Sequence, residues 1–132
     1  MSNISKGRGY VYSLQYHVVW CVKNRYKILT GELEADLRWI LQRIADDNGF
    51  LITELNINED HVRILIDCKP QHYISNMIKA LKGVSGRYLI QKYGDELLKK
   101  LSAGHIWNAS YFIVTASEDT ESQVRDYIES QR

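Results

Sequence analysis

Tyr127 and Gln131 stand one helical turn apart near the end of the chain, so a phenol hydroxyl and an amide oxygen share one helix face and can meet at one site. Val124 and Ile128 mark the apolar side of the same segment. Alone, the pair is weak evidence of chemistry, since most helical tyrosines merely pack or lie half exposed. The second reactive stretch is DHVRILID, residues 60–67. As a strand it turns Val62, Ile64 and Ile66 to a core and His61, Arg63, Leu65 and Asp67 to the other face. An imidazole and a guanidinium are then neighbours on one surface. The plainest account is a half-buried strand with a polar outer side.

The elements that would position these groups are legible. Residues 10–22, YVYSLQYHVVWCV, are aromatic and β-branched and predict one strand, led in by Lys6 and Arg8 and followed by Lys23, Arg25 and Lys27. Leu33, Leu37, Ile40, Leu41 and Ile44 recur at helical spacing, with Thr30 placed to cap the start and Gly49 to end it. Residues 50–57 and 61–68 predict a hairpin turning at Asn58, Glu59 and Asp60. Past Pro70, Ile74, Ile78, Leu81 and Tyr88 form the apolar stripe of a second helix, with Lys79, Lys82 and Arg87 largely on its other side. Gly83, Ser85 and Gly86 in that helix admit a close neighbour, either the packed sheet or a phosphate chain. SYFIVTA, residues 110–116, predicts a buried strand, and Thr120 with Gln123 a capping box opening the final helix. The order is that of an α+β, ferredoxin-like split β-α-β fold with an antiparallel sheet and a C-terminal helix carrying the tyrosine. Residues 1–132 form one domain.

Bulk properties narrow the function classes. At 132 residues and 45% hydrophobic, the chain holds one core. Its net charge is +1, with 17 basic and 16 acidic residues, so a nucleic-acid surface must come from local clustering. Cys21 and Cys68 lie apart in apolar runs and predict reduced, buried thiols with neither disulfide nor zinc. No apolar run reaches the roughly 20 residues of a membrane span, and MSNISKGRGY lacks a signal peptide's apolar stretch. A soluble, cytoplasmic protein is expected. The RNA-binding signature K/R-G-F/Y-G/A-F-V-x-F/Y is absent, which ranks an RNA-binding ferredoxin-like module last.

YHVVWCVKNRYKIL, DHVRILID, IKALKGVSGRYL, IWNASYFIVT and VRDYIESQ resemble, in order and spacing, the single-tyrosine HUH transposases of the insertion-sequence 200/605 group, transposase A type. The likeness covers nearly the whole chain. It implies a homodimer whose active sites are completed between subunits, which binds single-stranded DNA hairpins at transposon ends and cuts and rejoins one strand through a 5′-phosphotyrosine. Tyr127 matches the nucleophile. His61 and Gln131 match ligands of a divalent metal, Mg2+ or Mn2+. Unperturbed phenols have pKa values of about 10, so such chemistry needs activation and neutralisation of phosphate charge. The family carries histidine, hydrophobic residue, histidine on the central strand; this chain has His61, Val62 and Arg63. A guanidinium has no lone pair to give and repels a cation. Asp67, Asp60 or Glu59 would then have to supply an oxygen, or Arg63 would itself hold the scissile phosphate. The alternative is a catalytically degenerate relative that binds hairpins without cutting. Lys6, Arg8, Lys23, Arg25, Lys27, Lys79, Lys82 and Arg87 are expected phosphate contacts, and Tyr10, Tyr12 or Tyr26 stacking platforms. His17, His72 and His105 read as structural.

Overall fold

The computed structural model describes residues 5–7, 10–12, 14–69, 73–101, 104–115 and 120–131. β1 (Ser5–Gly7) and β2 (Tyr10–Tyr12) pair as a separate two-stranded ribbon. The single strand expected over 10–22 is therefore two: β3 (Leu14–Cys21) belongs to the main sheet and β2 does not. A basic lead was expected where β1 forms, because three-residue strands carry too little periodicity to read. α1 spans Gly31–Asn48, β4 Leu51–Ile57 and β5 His61–Cys68. α2 spans Ile74–Lys100, β6 Phe112–Thr115 and α3 Thr120–Ser130.

The main sheet runs β4-β5-β3-β6, every pair antiparallel. β3-α1-β4 is the split unit, with β5 inserted between its strands. Val18, Trp20 and Val22 join Val62, Ile64 and Ile66 in a core closed by Leu37, Leu41 and Ile44 of α1 and Ile78, Leu81 and Leu89 of α2. α3 covers the opposite face, where Tyr127 stacks on Phe112 with ring centroids 5.5 Å apart. Val19 pairs with Phe112 on one side and Arg63 on the other, so those residues share that face. Leu65 and Asp67, expected on an open face, are both buried.

α1 ends as its sequence dictates. Gly49 lies at φ 76°, its amide reaches the Asp46 carbonyl, and Phe50 reaches Ala45, the paired bonds of a Schellman close. Its start differs from expectation: Thr30 is extended at the capping position but its hydroxyl makes no capping bond. Gly31 follows at φ 60°, which turns the chain away from the geometry such a bond needs. α2 runs well past its predicted stripe and bends at Tyr93 (φ −119°, ψ 15°). There Tyr93 bonds Asp36 of α1, and Lys92 pairs with the same carboxylate at 2.8 Å. Of the strand expected over 110–116, β6 takes the four residues Phe112–Thr115, an edge strand of intermediate burial ending on exposed Thr115, and Ala116 lies outside the described residues. An edge position explains why a run this apolar stays half covered. Among the described residues α3 begins at Thr120, the residue expected to open the capping box.

Candidate active site

Three hydrogen-bonded groups fasten α3 to the sheet. The first carries the tyrosine. Tyr127 Oη lies 2.8 Å from Ser110 Oγ, which donates to Gln131 Oε1 at 3.0 Å. Asn108 Nδ2 donates to the same amide oxygen at 3.0 Å. The segment that supplies Asn108 and Ser110 is fixed from two sides. The Asn108 amide bonds the Cys21 carbonyl at the end of β3. Lys82 Nζ donates to the carbonyls of Asn108, Ala109 and Ser110 at 2.8, 3.3 and 2.9 Å. Burial raises the Tyr127 pKa, and the Ser110 bond works against that rise. Burial brings Lys82 down to about 8, while three carbonyls favour its charged form.

The second group begins at His61, whose Nδ1 lies 2.7 Å from Asp60 Oδ1 and Nε2 3.0 Å from Asn58 Nδ2. A carboxylate accepts only, so Nδ1 carries the proton and Nε2 the lone pair. The other Asp60 oxygen accepts from Arg25 Nε and Nη2, and Arg25 Nη1 reaches the Ile128 carbonyl of α3 at 3.1 Å. Burial raises the Asp60 pKa, but the bonds from His61 and Arg25 outweigh it and hold the carboxyl below its ordinary value. Arg25 sits at φ 55°, a backbone region uncommon for a side chain of this size, and its bonds keep it there.

The third group is Arg63 with Glu121. Arg63 Nη1 donates to Glu121 Oε2 at 3.0 Å and Nη2 to Oε1, a forked pair joining β5 to the first turn of α3. The pair raises the Arg63 pKa and lowers that of Glu121.

The family model described as "Transposase IS200 like" matches residues 10–131. The chain belongs to this family. The transposase is 46% identical over 128 residues to the ISDra2 transposase TnpA of Deinococcus radiodurans, covering 97% of this chain and 91% of that one. It is 28% identical over 120 residues to the transposase for insertion sequence element IS200 of Salmonella typhimurium, covering 91% and 78%. A transposase crystal structure from Deinococcus radiodurans superposes with TM-score 0.90 at 41% identity, covering 97% and 98%. The structure of a REP-associated tyrosine transposase bound to a REP hairpin shares the fold, with TM-score 0.60 at 14% identity, covering 92% and 67%.

In the transposase, Tyr127 and Gln131 meet at Ser110, whereas His61 and Arg63 belong to separate bonded groups. The donors do not make a metal site as they stand. His61 has the carboxylate partner on Nδ1 that metal-binding imidazoles use, but its Nε2 lone pair already accepts from Asn58 Nδ2. Arg63 has no lone pair, Gln131 Oε1 accepts two internal bonds, and both Asp60 oxygens are engaged. Asp67 lies at the far end of β5, paired with Gln15, and Glu59 is on an exposed turn. Among the described residues no three of His, Cys, Asp and Glu cluster as a metal site.

The expected phosphate contacts divide. Lys27, Lys79 and Arg87 are exposed, whereas Lys23, Arg25 and Lys82 are half-buried. Lys82 and Arg25 make the internal bonds above, which direct their charge inward. Arg8 and His72 lie outside the described residues, as do the side chains of Lys6, Tyr10 and Tyr12. Tyr26 is exposed. In α2, buried Ser85 accepts the Trp107 Nε1 proton at 3.1 Å, and a Cβ on Gly86 would lie 3.4 Å from Trp107 Cδ1. Those two small residues therefore serve a packed aromatic ring. Lys82, Gly83, Arg87, Trp107 and Asn108 line a groove of about 760 Å³ beside it. His17, read as structural, lies half-buried on β3, and its pKa is lowered by burial and then by Arg63. Ser110, Asn108 and Glu121 were missed as site residues. The NAS run at 108–110 was a signal, but Glu121 meets Arg63 only through the fold. Among the described residues no helix is long and apolar enough to cross a membrane.

Proposed function

We propose that this transposase binds single-stranded DNA hairpins at transposon ends and cuts and rejoins one strand through Tyr127. The observation that carries the reading is the Tyr127 hydroxyl held 2.8 Å from Ser110, on a helix pinned over the sheet face that bears His61 and Arg63. In the reaction Tyr127 Oη forms a bond to phosphorus as the bond to the 3′ oxygen breaks. The phenol proton is lost and the departing oxygen gains one, leaving a 5′-phosphotyrosine and a free 3′-hydroxyl. The ester exchange stores the bond energy, so rejoining needs no external source. Ser110 orients the phenol, and its one hydroxyl proton, turned from Gln131 Oε1 to Tyr127 Oη, favours the phenolate against burial. A homodimer with sites completed between subunits is part of this reading.

Because the donor set does not fit a divalent ion, no step is assigned to one. Arg63 itself places a positive charge on this face. A second reading, hairpin binding without cutting, is favoured by one specific observation: a guanidinium engaged by Glu121 occupies the position of the second histidine.

The test is a denaturing gel with end-labelled hairpin DNA and Mg2+ or Mn2+, comparing the native chain with Tyr127→Phe and Arg63→His. A covalent adduct lost in Tyr127→Phe supports cleavage by this chain. DNA binding with an adduct only after Arg63→His establishes the binder, and no binding by any version refutes both readings.

A further inference from the structure

We propose that Glu121 is an internal stand-in for a DNA phosphate: a backbone phosphate of the bound strand takes over the Arg63 fork and loosens the first turn of α3, which buried Thr120 and Val124 still pack against the domain. This rests on the strand-binding reading above.

Arg63 offers two parallel N–H donors, and Glu121 answers with its two carboxylate oxygens. The same fork matches two oxygens of a phosphate, so a carboxylate in this geometry imitates the anion that nucleic acid would bring. The two partners are unequally held. Arg63 projects from a strand bonded on both sides, opposite Val19 and Asn56, and its side chain is 21% exposed. The Glu121 side chain is 69% exposed and returns to water without rearranging the core. Glu121 is therefore the replaceable partner and Arg63 the fixed one.

A second feature points to the same place. His17 lies on β3 on the Arg63 face, senses the charges of Arg63, Glu54 and Glu121, and has Nδ1 buried without a hydrogen-bond partner among the described residues. Such orphaned atoms are uncommon in native structures and point to a missing partner. A phosphate oxygen entering beside Arg63 would be an acceptor for Nδ1 in the tautomer that carries its proton there.

Exchange of partners couples two events. The Arg25 bond to Ile128 grips the other end of α3 and does not involve Arg63. Phosphate at the fork would loosen the first turn of the tyrosine helix while its last turn stays attached. By linkage, whatever loosens that turn strengthens strand binding by the same factor.

The test is fluorescence anisotropy with a labelled DNA hairpin bearing a single-stranded flank, with hydrogen exchange of α3 read in parallel. Glu121→Gln is expected to tighten binding about 3- to 10-fold at low salt, because a phosphate then meets the Arg63 fork without a competing carboxylate. Glu129→Gln makes the same charge change on an exposed position of the same helix and should change binding by less than about twofold, since a distant surface charge is screened. In an Arg63→Gln background the Glu121→Gln effect should vanish, and the salt slope should fall by about one. DNA should also speed exchange in the first turn of α3 in the native chain. Equal tightening by Glu121→Gln and Glu129→Gln, or tightening that survives Arg63→Gln, would overturn the proposal while leaving hairpin binding intact. Absence of binding by every version would instead refute the strand-binding reading itself, and the proposal with it.

Discussion

Arg25 holds one oxygen of Asp60 with two donors, Nε at 3.0 Å and Nη2 at 2.8 Å, while the other oxygen of Asp60 holds His61. One carboxylate thereby fixes the imidazole and, through Arg25, the last turn of α3. Asp60→Asn cannot satisfy both and should cost about 1–3 kcal/mol, the range for a charge-assisted bond lost in a partly buried place. The native Asp60 pKa lies below its ordinary value, so its contribution is complete above the ordinary aspartate range and is lost as pH falls through the depressed value. Urea unfolding from pH 2 to 6 should show that acid loss in the native chain and a flatter limb in the variant.

Ser110→Ala removes the one hydrogen bond that favours the Tyr127 phenolate while leaving the burial that opposes it. The Tyr127 titration should move to higher pH, measured on selectively labelled ring carbons by NMR. Adduct formation should slow on the same preparation, with hairpin affinity little changed.

Lys82 and the exposed basic residues of α2 should separate in salt titrations of hairpin binding. Lys79→Ala and Arg87→Ala are each expected to lower the slope by about one, as for a lost phosphate contact. Lys82→Met should leave the slope unchanged, because its ammonium faces three carbonyls. Its pH signature is also distinct. Below about 8 Lys82 is protonated folded or unfolded. Between there and the ordinary lysine pKa of about 10.4 the unfolded chain holds more protons, so this group makes stability rise with pH. That rise should be missing in Lys82→Met.

Ser85→Ala strands the indole proton of Trp107, which also meets Trp20 edge-on at 5.8 Å. An expected loss of about 1–3 kcal/mol follows from one buried donor left unsatisfied. Guanidinium unfolding monitored by tryptophan emission measures it.

The fold was legible where side-chain periodicity was long enough to register: α1 with its Gly49 close, the hairpin of β4 and β5, and the split order around β3. Register placed Arg63 and His61 on the non-core face in advance, because alternation along a strand is a local property. What escaped were relationships between distant segments. Nothing near Glu121 marks it as the partner of Arg63, and Arg25 read as a phosphate contact because a sequence shows a charge but not the carboxylate folded against it. The β1–β2 ribbon escaped for the opposite reason, being too short to carry a pattern. Ser110 and Asn108 were in plain view within a family motif, yet their bonds to Tyr127 and Gln131 depend on Lys82 fixing the segment from another helix.

The two thiols lie on opposite sides of the sheet. Cys68 belongs to the core shared with α1 and α2, whereas Cys21, opposite His61, is outside that core and buried on the face that α3 covers. Burial pushes Cys21 up to about 11 and also raises Cys68, so both are sluggish toward alkylating reagents while covered. The pair is a built-in chemical clock with two hands. A maleimide that reaches Cys21 before Cys68 times the lifting of one helix, and equal rates time the melting of the whole domain.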